Sequence, residues 1–331
     1  MRKFIFFSLL SFWSSLTAYQ TTDTVVMISP DTFAFNYQTG ITNAFQRTTE
    51  ARNVALEALC DFNHMQNALK QNGINVITLS SPLGINTPDA VFPNWFSLHE
   101  QDNKTLLVLY PMLTENRQAE RQVLVLQNEL SIHGILIDEI LDLTYFELEG
   151  KALESTGSLV LDRANKIAYA SISSRTHLDV LHYFTKKLGY ASLIFSSKDE
   201  QGELVYHTDI MMSIGDQFAI LCKDCITNPI EAENIIKSLT NTGKQIIYIS
   251  FDQMHQMCAN ILELKSQDGL TKIVMSDTAY AAFTEQQLHI LQKMGTILHV
   301  NTDTITTVGG GSSRCMLAEI FYAKSKAPSN L

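Results

Sequence analysis

Residues 158–197 read SLVLDRANKIAYASISSRTHLDVLHYFTKKLGYASLIFSS. Two apolar-rich runs, SLVLDR and IAYASIS, flank Ala164-Asn165-Lys166 as the arms of a hairpin, a helical run THLDVLHYFTKKLG follows, and SLIFSS closes the unit as a third strand. The pattern is ββαβ. It recurs as DIMMSIG, QFAILCK, a helix from Pro229 to Gly243 and QIIYIS, then as NILELK, TKIVMS, a helix through FTEQQLHILQKMG and TILHVN. An earlier copy runs AVFPNWF, TLLVLYPM, a helix from Asn116 to His133 and ILIDEIL. The fifth spans both ends: the strand TVVMIS, a helix from about Arg52 to Asn72 and the strand INVITLS are N-terminal, and CMLAEIFY is the apolar run left to pair with TVVMIS.

A single ββαβ unit has too little apolar surface to bury its own face, so five of them are expected to close on one another in a ring. The fold class predicted is α/β, a five-fold α/β propeller. The connection after each closing strand then falls near the ring axis. Those connections carry Asp89 after INVITLS, Glu149 and Glu154 after ILIDEIL, His207 and Asp209 after SLIFSS, Asn260 after QIIYIS and Cys315 after TILHVN. A thiol, an imidazole and several carboxylates thus converge from five distant stretches.

Length alone, 331 residues, favours two domains, but the repeat overrides that prior. A net charge of −10 with no basic stripe argues against a nucleic-acid partner, because a phosphate backbone is held by clustered Lys and Arg. The start differs from the rest: MRK, the apolar run FIFFSLLSFWSSL, then Thr17-Ala18-Tyr19. This reads as a secretory signal over residues 1–20, too short for a membrane span, which needs about 20 apolar residues. Residues 21–324 would then form one catalytic domain and 325–331 a tail, with the protein exported. If translation begins at Met27 instead, it is cytoplasmic. Cys222 and Cys225 form a CxxC without a second CxxC or a His pair at metal spacing, so packing or a local disulfide outweighs zinc or redox chemistry. Cys60, in an apolar helical pattern, is expected in the core.

Cys315 follows GGGSSR. Glycines let backbone N–H groups and a substrate approach closely, and Arg314 beside the thiol would favour thiolate, which is the reactive form. Read bare, the same stretch is also a glycine-rich turn before a buried strand. His207 and Asp209 stand two apart in YHTDIMMS, on the same face if the segment is a strand. Asp89, Glu154 and Asp209 would put negative charge around one cavity, suited to a planar cation with several N–H donors, a guanidinium.

At TPDAVFPNWFS, YPMLTENRQAER, ESTGSLVLDR, SSRTH, HTDIMMSIG, ANILEL and GGGSSRCMLAEIF the chain resembles the guanidine-modifying, or pentein, superfamily, and most the bacterial citrulline-utilisation hydrolase subgroup. The resemblance covers about Thr24 to Tyr322. It implies a nucleophile at Cys315, a general acid/base at His207 and guanidinium-holding acids at Asp89, Glu154 and Asp209. It further implies Arg117 and Arg175 on a substrate α-carboxylate, with Asn94 and Asn260 as further substrate contacts. The chain departs from the subgroup in having one asparagine, Asn94, before Trp95, and in carrying Glu149-Gly150 ahead of Glu154-Ser155-Thr156-Gly157-Ser158. Either glutamate fits, and the distance to GSLVLDR favours Glu154.

The expected function is hydrolysis of guanidino or ureido amino acids through a covalent intermediate on sulfur, with no metal or organic cofactor and a small-molecule partner. Two alternatives stand beside it. An amidinotransferase would use an amine where the hydrolase uses water, and a non-catalytic secreted propeller would only bind. Oligomeric state is not legible.

Overall fold

The computed structural model describes residues 19–49 and 53–324. The expected tail, 325–331, and the expected signal up to residue 18 therefore lie outside the described residues. Gln20, at the end of that expected signal, is buried: its amide donates to the Leu161 carbonyl at 3.0 Å and accepts from the Arg163 N–H at 2.8 Å.

Among the described residues, fifteen strands form five three-stranded sheets. Strands β1 (Thr24–Ile28) and β2 (Asn75–Leu79) pair in parallel. The second sheet holds β3 (Phe96–Gln101), β4 (Lys104–Leu109) and β5 (Glu139–Asp142). The third holds β6 (Val160–Asp162), β7 (Ile167–Ser171) and β8 (Ala191–Phe195), and the fourth β9 (Met212–Ile214), β10 (Phe218–Leu221) and β11 (Gln245–Tyr248). The fifth holds β12 (Leu262–Lys265), β13 (Thr271–Ser276) and β14 (Thr296–Val300). In each of these four sheets the first strand runs antiparallel to the middle one and the last runs parallel to it after a helical crossover. The short C-terminal β15 (Ala318–Glu319) completes the first sheet, antiparallel to β1 with Val25 opposite Glu319.

Apolar residues from neighbouring sheets seal the ring. Val26 and Ile77 pack with Trp95, Phe96 and Leu107; Val108 with Leu161 and Ala170; Tyr169 and Phe195 with Phe218 and Met275; and Leu264 and Val274 with Val25 and Met27. Each such large side chain contributes roughly 1.5–3 kcal/mol on burial, so no sheet is stable apart from its neighbours. Local signals set the crossovers: Asn228 caps the helix Pro229–Asn241, with Pro229 supplying no N–H where none is needed, and Thr284 with Gln287 forms a capping box on Glu285–Met294.

The structure departs from the sequence reading near the site. The expected helix Asn116–His133 splits into Glu115–Gln118 and Val123–Ile132, because Arg117 and Glu120 turn inward and are buried. AVFPNWF is a turn that ends at β3, since Pro93 has no N–H for a ladder and the Phe92 N–H bonds instead to the Asp89 carbonyl. Thr208–Ile210 is a 3-10 turn, so His207 and Asp209 are not paired on one face of a strand. Cys60 is exposed on its helix. No helix among the described residues is long and apolar enough to cross a membrane.

Candidate active site

The five connections meet where the ring pattern places them. Asp89, Glu154, His207, Asp209, Asn260 and Cys315 are all buried, and one cavity is lined by Asp89, Asn94, Arg117, Arg175, His207 and Cys315, with Asn43, Phe92, Tyr206, Gly309 and Gly311 completing its wall. The sulfur from the C-terminal turn and the imidazole encoded a hundred residues earlier open into the same space.

Two turns that deliver these groups hold non-glycine residues at positive φ: Ser155 at 38° beside Glu154, and Met257 at 62° shortly before Asn260. Such backbone costs of order 1–3 kcal/mol and persists where surrounding contacts hold it. Here Ser155 Oγ donates to the Phe96 carbonyl, and Ser158 Oγ accepts the Glu154 N–H and donates to the Arg175 carbonyl. Glu154 is thereby presented to His207, whose Nε2 lies 2.8 Å from its Oε2, and to Arg175 at 3.5 Å. Burial by itself would raise the Glu154 carboxyl, but Arg175, His207 and Arg117 together hold it well below the usual carboxylate range. Glu149 is exposed and pairs with Lys151, so of the two glutamates Glu154 is the one at the cavity.

Gly157 packs against the His207 ring; a β-carbon there would overlap Nδ1 and Cε1. Gly157→Ala is expected to push the imidazole off the Glu154 carboxylate and to lower activity by about 10²-fold, the cost of misplacing a reacting group by an ångström. Turnover assays with circular dichroism as a folding control check this.

Cys315 sits at the end of a clamp made by Asn260. The Asn260 Oδ1 accepts the N–H groups of Ser312 (3.2 Å) and Cys315 (3.3 Å), and its Nδ2 donates to the sulfur (3.0 Å) and to Asp209 Oδ2 (3.2 Å). Gly310 takes the left-handed φ of 66° that ends the helix Asp303–Gly309, and Gly311 leaves room for the sulfur. Arg314, expected beside the thiol, points elsewhere and pairs with Glu319 at 2.7 Å. Burial and then the Asp209 carboxylate push the Cys315 thiol well above its ordinary pKa. Burial also raises Asp209, against the charges of His207 and Arg314. Asp209 and Asn260 touch the sulfur but do not line the cavity in front of it.

Sequence reading missed the segment that covers the site. Asn36 and Thr39 donate to Asp89 Oδ2 at 2.8 and 2.7 Å, and Gln46 donates to Oδ1 at 3.3 Å. Thr39 and Thr42 accept from Arg175, whose guanidinium lies 4.8 Å from the Tyr206 ring centroid. The available signal was length: a connection of more than about 15 residues without periodicity between β1 and the next helix is a functional loop more often than a plain linker. Glu120, ion-paired to Arg117 at 2.9 Å, was also missed, although its i,i+3 spacing was visible. Arg117 further donates to the Phe92 carbonyl and to Asn94. Cys222 and Cys225 are buried free thiols with their sulfurs 2.9 Å apart, and among the described residues no group of three or more His, Cys, Asp or Glu could hold a metal ion.

A profile of the family described as N,N dimethylarginine dimethylhydrolase, eukaryotic, matches residues 29–322. The chain belongs to this family. Its fold is accordingly of the pentein type. Solved structures share the fold. ArgZ, an arginine dihydrolase from the ornithine-ammonia cycle in cyanobacteria, is 15% identical with a TM-score of 0.69 over 90% of this chain and 40% of that one. Its N-terminal domain, bound to substrate, is 16% identical with a TM-score of 0.68 over 90% of this chain and 98% of that one. A dimethylarginine dimethylaminohydrolase, as an adduct with 4-chloro-2-hydroxymethylpyridine, is 13% identical with a TM-score of 0.59 over 91% and 100%. The chain thus spans 40% of full-length ArgZ. No match was found among curated protein sequences.

Proposed function

We propose that this dimethylhydrolase-family member hydrolyses a guanidino or ureido amino acid through a covalent intermediate on Cys315. One observation carries the reading: the Cys315 sulfur and the His207 imidazole border a single cavity whose wall also bears the Asp89 carboxylate and the guanidinium groups of Arg117 and Arg175. Charges of both signs on one small cavity suit a substrate that is itself a zwitterion, with Asp89 toward its cationic nitrogens and the arginines toward its carboxylate.

In this reading the sulfur adds to the guanidino or ureido carbon and His207 protonates the departing amine. His207 then takes a proton from water, which attacks the adduct and frees the second product. Glu154 accepts the imidazole N–H and stabilises its protonated form, and Asn260 keeps the sulfur on its line of approach. Burial keeps the thiol protonated until a cation arrives; a guanidinium beside the sulfur offsets the cost of ionising it.

The same argument sets reagent selectivity. At neutral pH cationic 2-chloroacetamidine is expected to alkylate Cys315 at least about tenfold faster than neutral iodoacetamide, relative to the ratio for a free thiol, the equivalent of one pKa unit. Iodoacetamide reactivity should rise only above the ordinary thiol range. Because Cys60 is exposed, the rates must be read at Cys315 by peptide mass spectrometry.

The deciding experiment is incubation with arginine, methylated arginines, citrulline and related guanidino acids, with glycine and ornithine as added acceptors. Released ammonia or amine, water-derived oxygen in the second product and a trapped protein adduct at Cys315 support the reading. A new guanidino compound formed on an added amine would replace hydrolysis by transfer, and turnover without a Cys315 adduct would end the covalent route.

A further inference from the structure

Resting on Cys315 as the nucleophile, one question of the chemistry is still open: where the thiol proton goes. The sulfur has two polar side-chain neighbours among the described residues. Asn260 Nδ2, at 3.0 Å, is a donor and cannot take a proton; Asp209 Oδ2, at 3.3 Å, is an acceptor and receives the S–H hydrogen bond. His207 makes its side-chain bond, through Nε2, to Glu154.

We propose that Asp209, rather than His207, takes the Cys315 proton as the sulfur attacks and keeps it until the covalent adduct breaks down. Three features of its placement fit this role. Asp209 is 1% exposed, and its second oxygen, Oδ1, has no hydrogen-bond partner, so the carboxylate is under-satisfied and gains from becoming neutral. It lines a second, polar cavity that shares no lining residue with the one containing Cys315 and His207, so it stands behind the sulfur and not over the substrate. The Asn260 amide donates to both Asp209 Oδ2 and the sulfur, holding donor and acceptor of the transfer in one frame.

The protons balance over the cycle, with one passing to solvent. In the first half the S–H bond breaks and an O–H bond forms on Asp209; the sulfur pair bonds the substrate carbon, and the amine leaves with a proton from His207. In the second half His207 recovers one proton from water, the water oxygen bonds the carbon and loses its second proton to solvent as the carbonyl forms, the S–C bond breaks with its pair returning to sulfur, and Asp209 returns the stored proton. The two residues never exchange roles: His207 serves amine and water, Asp209 serves sulfur alone.

The test uses the full chain alkylated with 2-chloroacetamidine, whose adduct leaves a cation on the sulfur, with alkylation followed by intact mass and mapped to Cys315. The infrared difference spectrum of adduct minus free protein is expected to show one protonated-carboxyl band. It should shift when aspartate is carbon-13 labelled at its side-chain carboxyl, persist in Asp89→Asn and vanish in Asp209→Asn. If Asp209→Asn does not fold, Asp209→Glu moves the band to a glutamate label. Complete alkylation with no such band, or a band that survives Asp209→Asn, overturns the proposal. Failure of Cys315 to alkylate at all overturns the nucleophile assignment itself, and this inference with it.

Discussion

Cys315→Ser and Cys315→Ala proteins are expected to lose turnover by at least about 10⁴-fold while melting close to the parent. The size follows from the chemistry: removing a nucleophile that acts as one unit with its acid/base removes nearly all of their joint contribution. The small effect on folding follows from the surroundings. Cys315 is a buried thiol whose backbone N–H is held by Asn260 Oδ1, and that bond is retained in both variants. Serine keeps a hydrogen bond to Asp209 as well. Ammonia or amine release on the substrate that the parent turns over, compared with thermal unfolding of the same samples, gives both numbers. Activity within about tenfold of the parent would remove Cys315 from the chemistry and with it the covalent route.

Glu154→Ala should produce the largest loss of stability of the site substitutions, about 3–5 kcal/mol, because it strands a buried Arg175 guanidinium and the His207 imidazole without their shared anion. Glu154→Gln keeps the shape and should cost less. The two also separate by pH. Glu154 has a folded pKa below its unfolded value of about 4.3, so the unfolded chain binds the extra proton; its stabilisation is complete above that value and is lost as pH falls below it. The parent therefore loses stability on acidification faster than Glu154→Gln, and the difference between their unfolding free energies should shrink from pH 6 toward the acid limb, about 1.4 kcal/mol for each pKa unit of depression recovered. Asp61 acts in the opposite sense in both proteins, since burial raises it to about 6, and cancels in the comparison. Denaturant unfolding at a series of pH values measures this; a constant gap across pH would show that Glu154 is not held ionised by its cationic neighbours.

The ring itself was legible because ββαβ units repeat an alternation of period two followed by one near 3.6, and such periods survive in a one-dimensional string. The unpaired run at the C-terminus predicted closure, and β15 beside β1 is that closure. Where strands end was also legible, so the turns carrying Asp89, Glu154, His207, Asp209, Asn260 and Cys315 could be named. How those turns bend was not. Pro93 and the Arg117–Glu120 pair changed a strand and a helix into irregular chain, and a 3-10 turn placed His207 toward Glu154 and Asp209 toward the sulfur.

The linear order of residues determined the α/β class, five modules, their closure and which candidate groups the strand-end turns carry. Tertiary structure alone decided that Arg314 turns to Glu319, that Asn260 serves the sulfur and that Asn36, Thr39 and Gln46 cover Asp89. The physical reason is the range of the interactions. Strand and helix patterns arise from neighbours within one or two turns, whereas hydrogen bonds such as those of Asn260 join groups more than fifty residues apart, and their direction depends on turn angles that leave no period in the sequence.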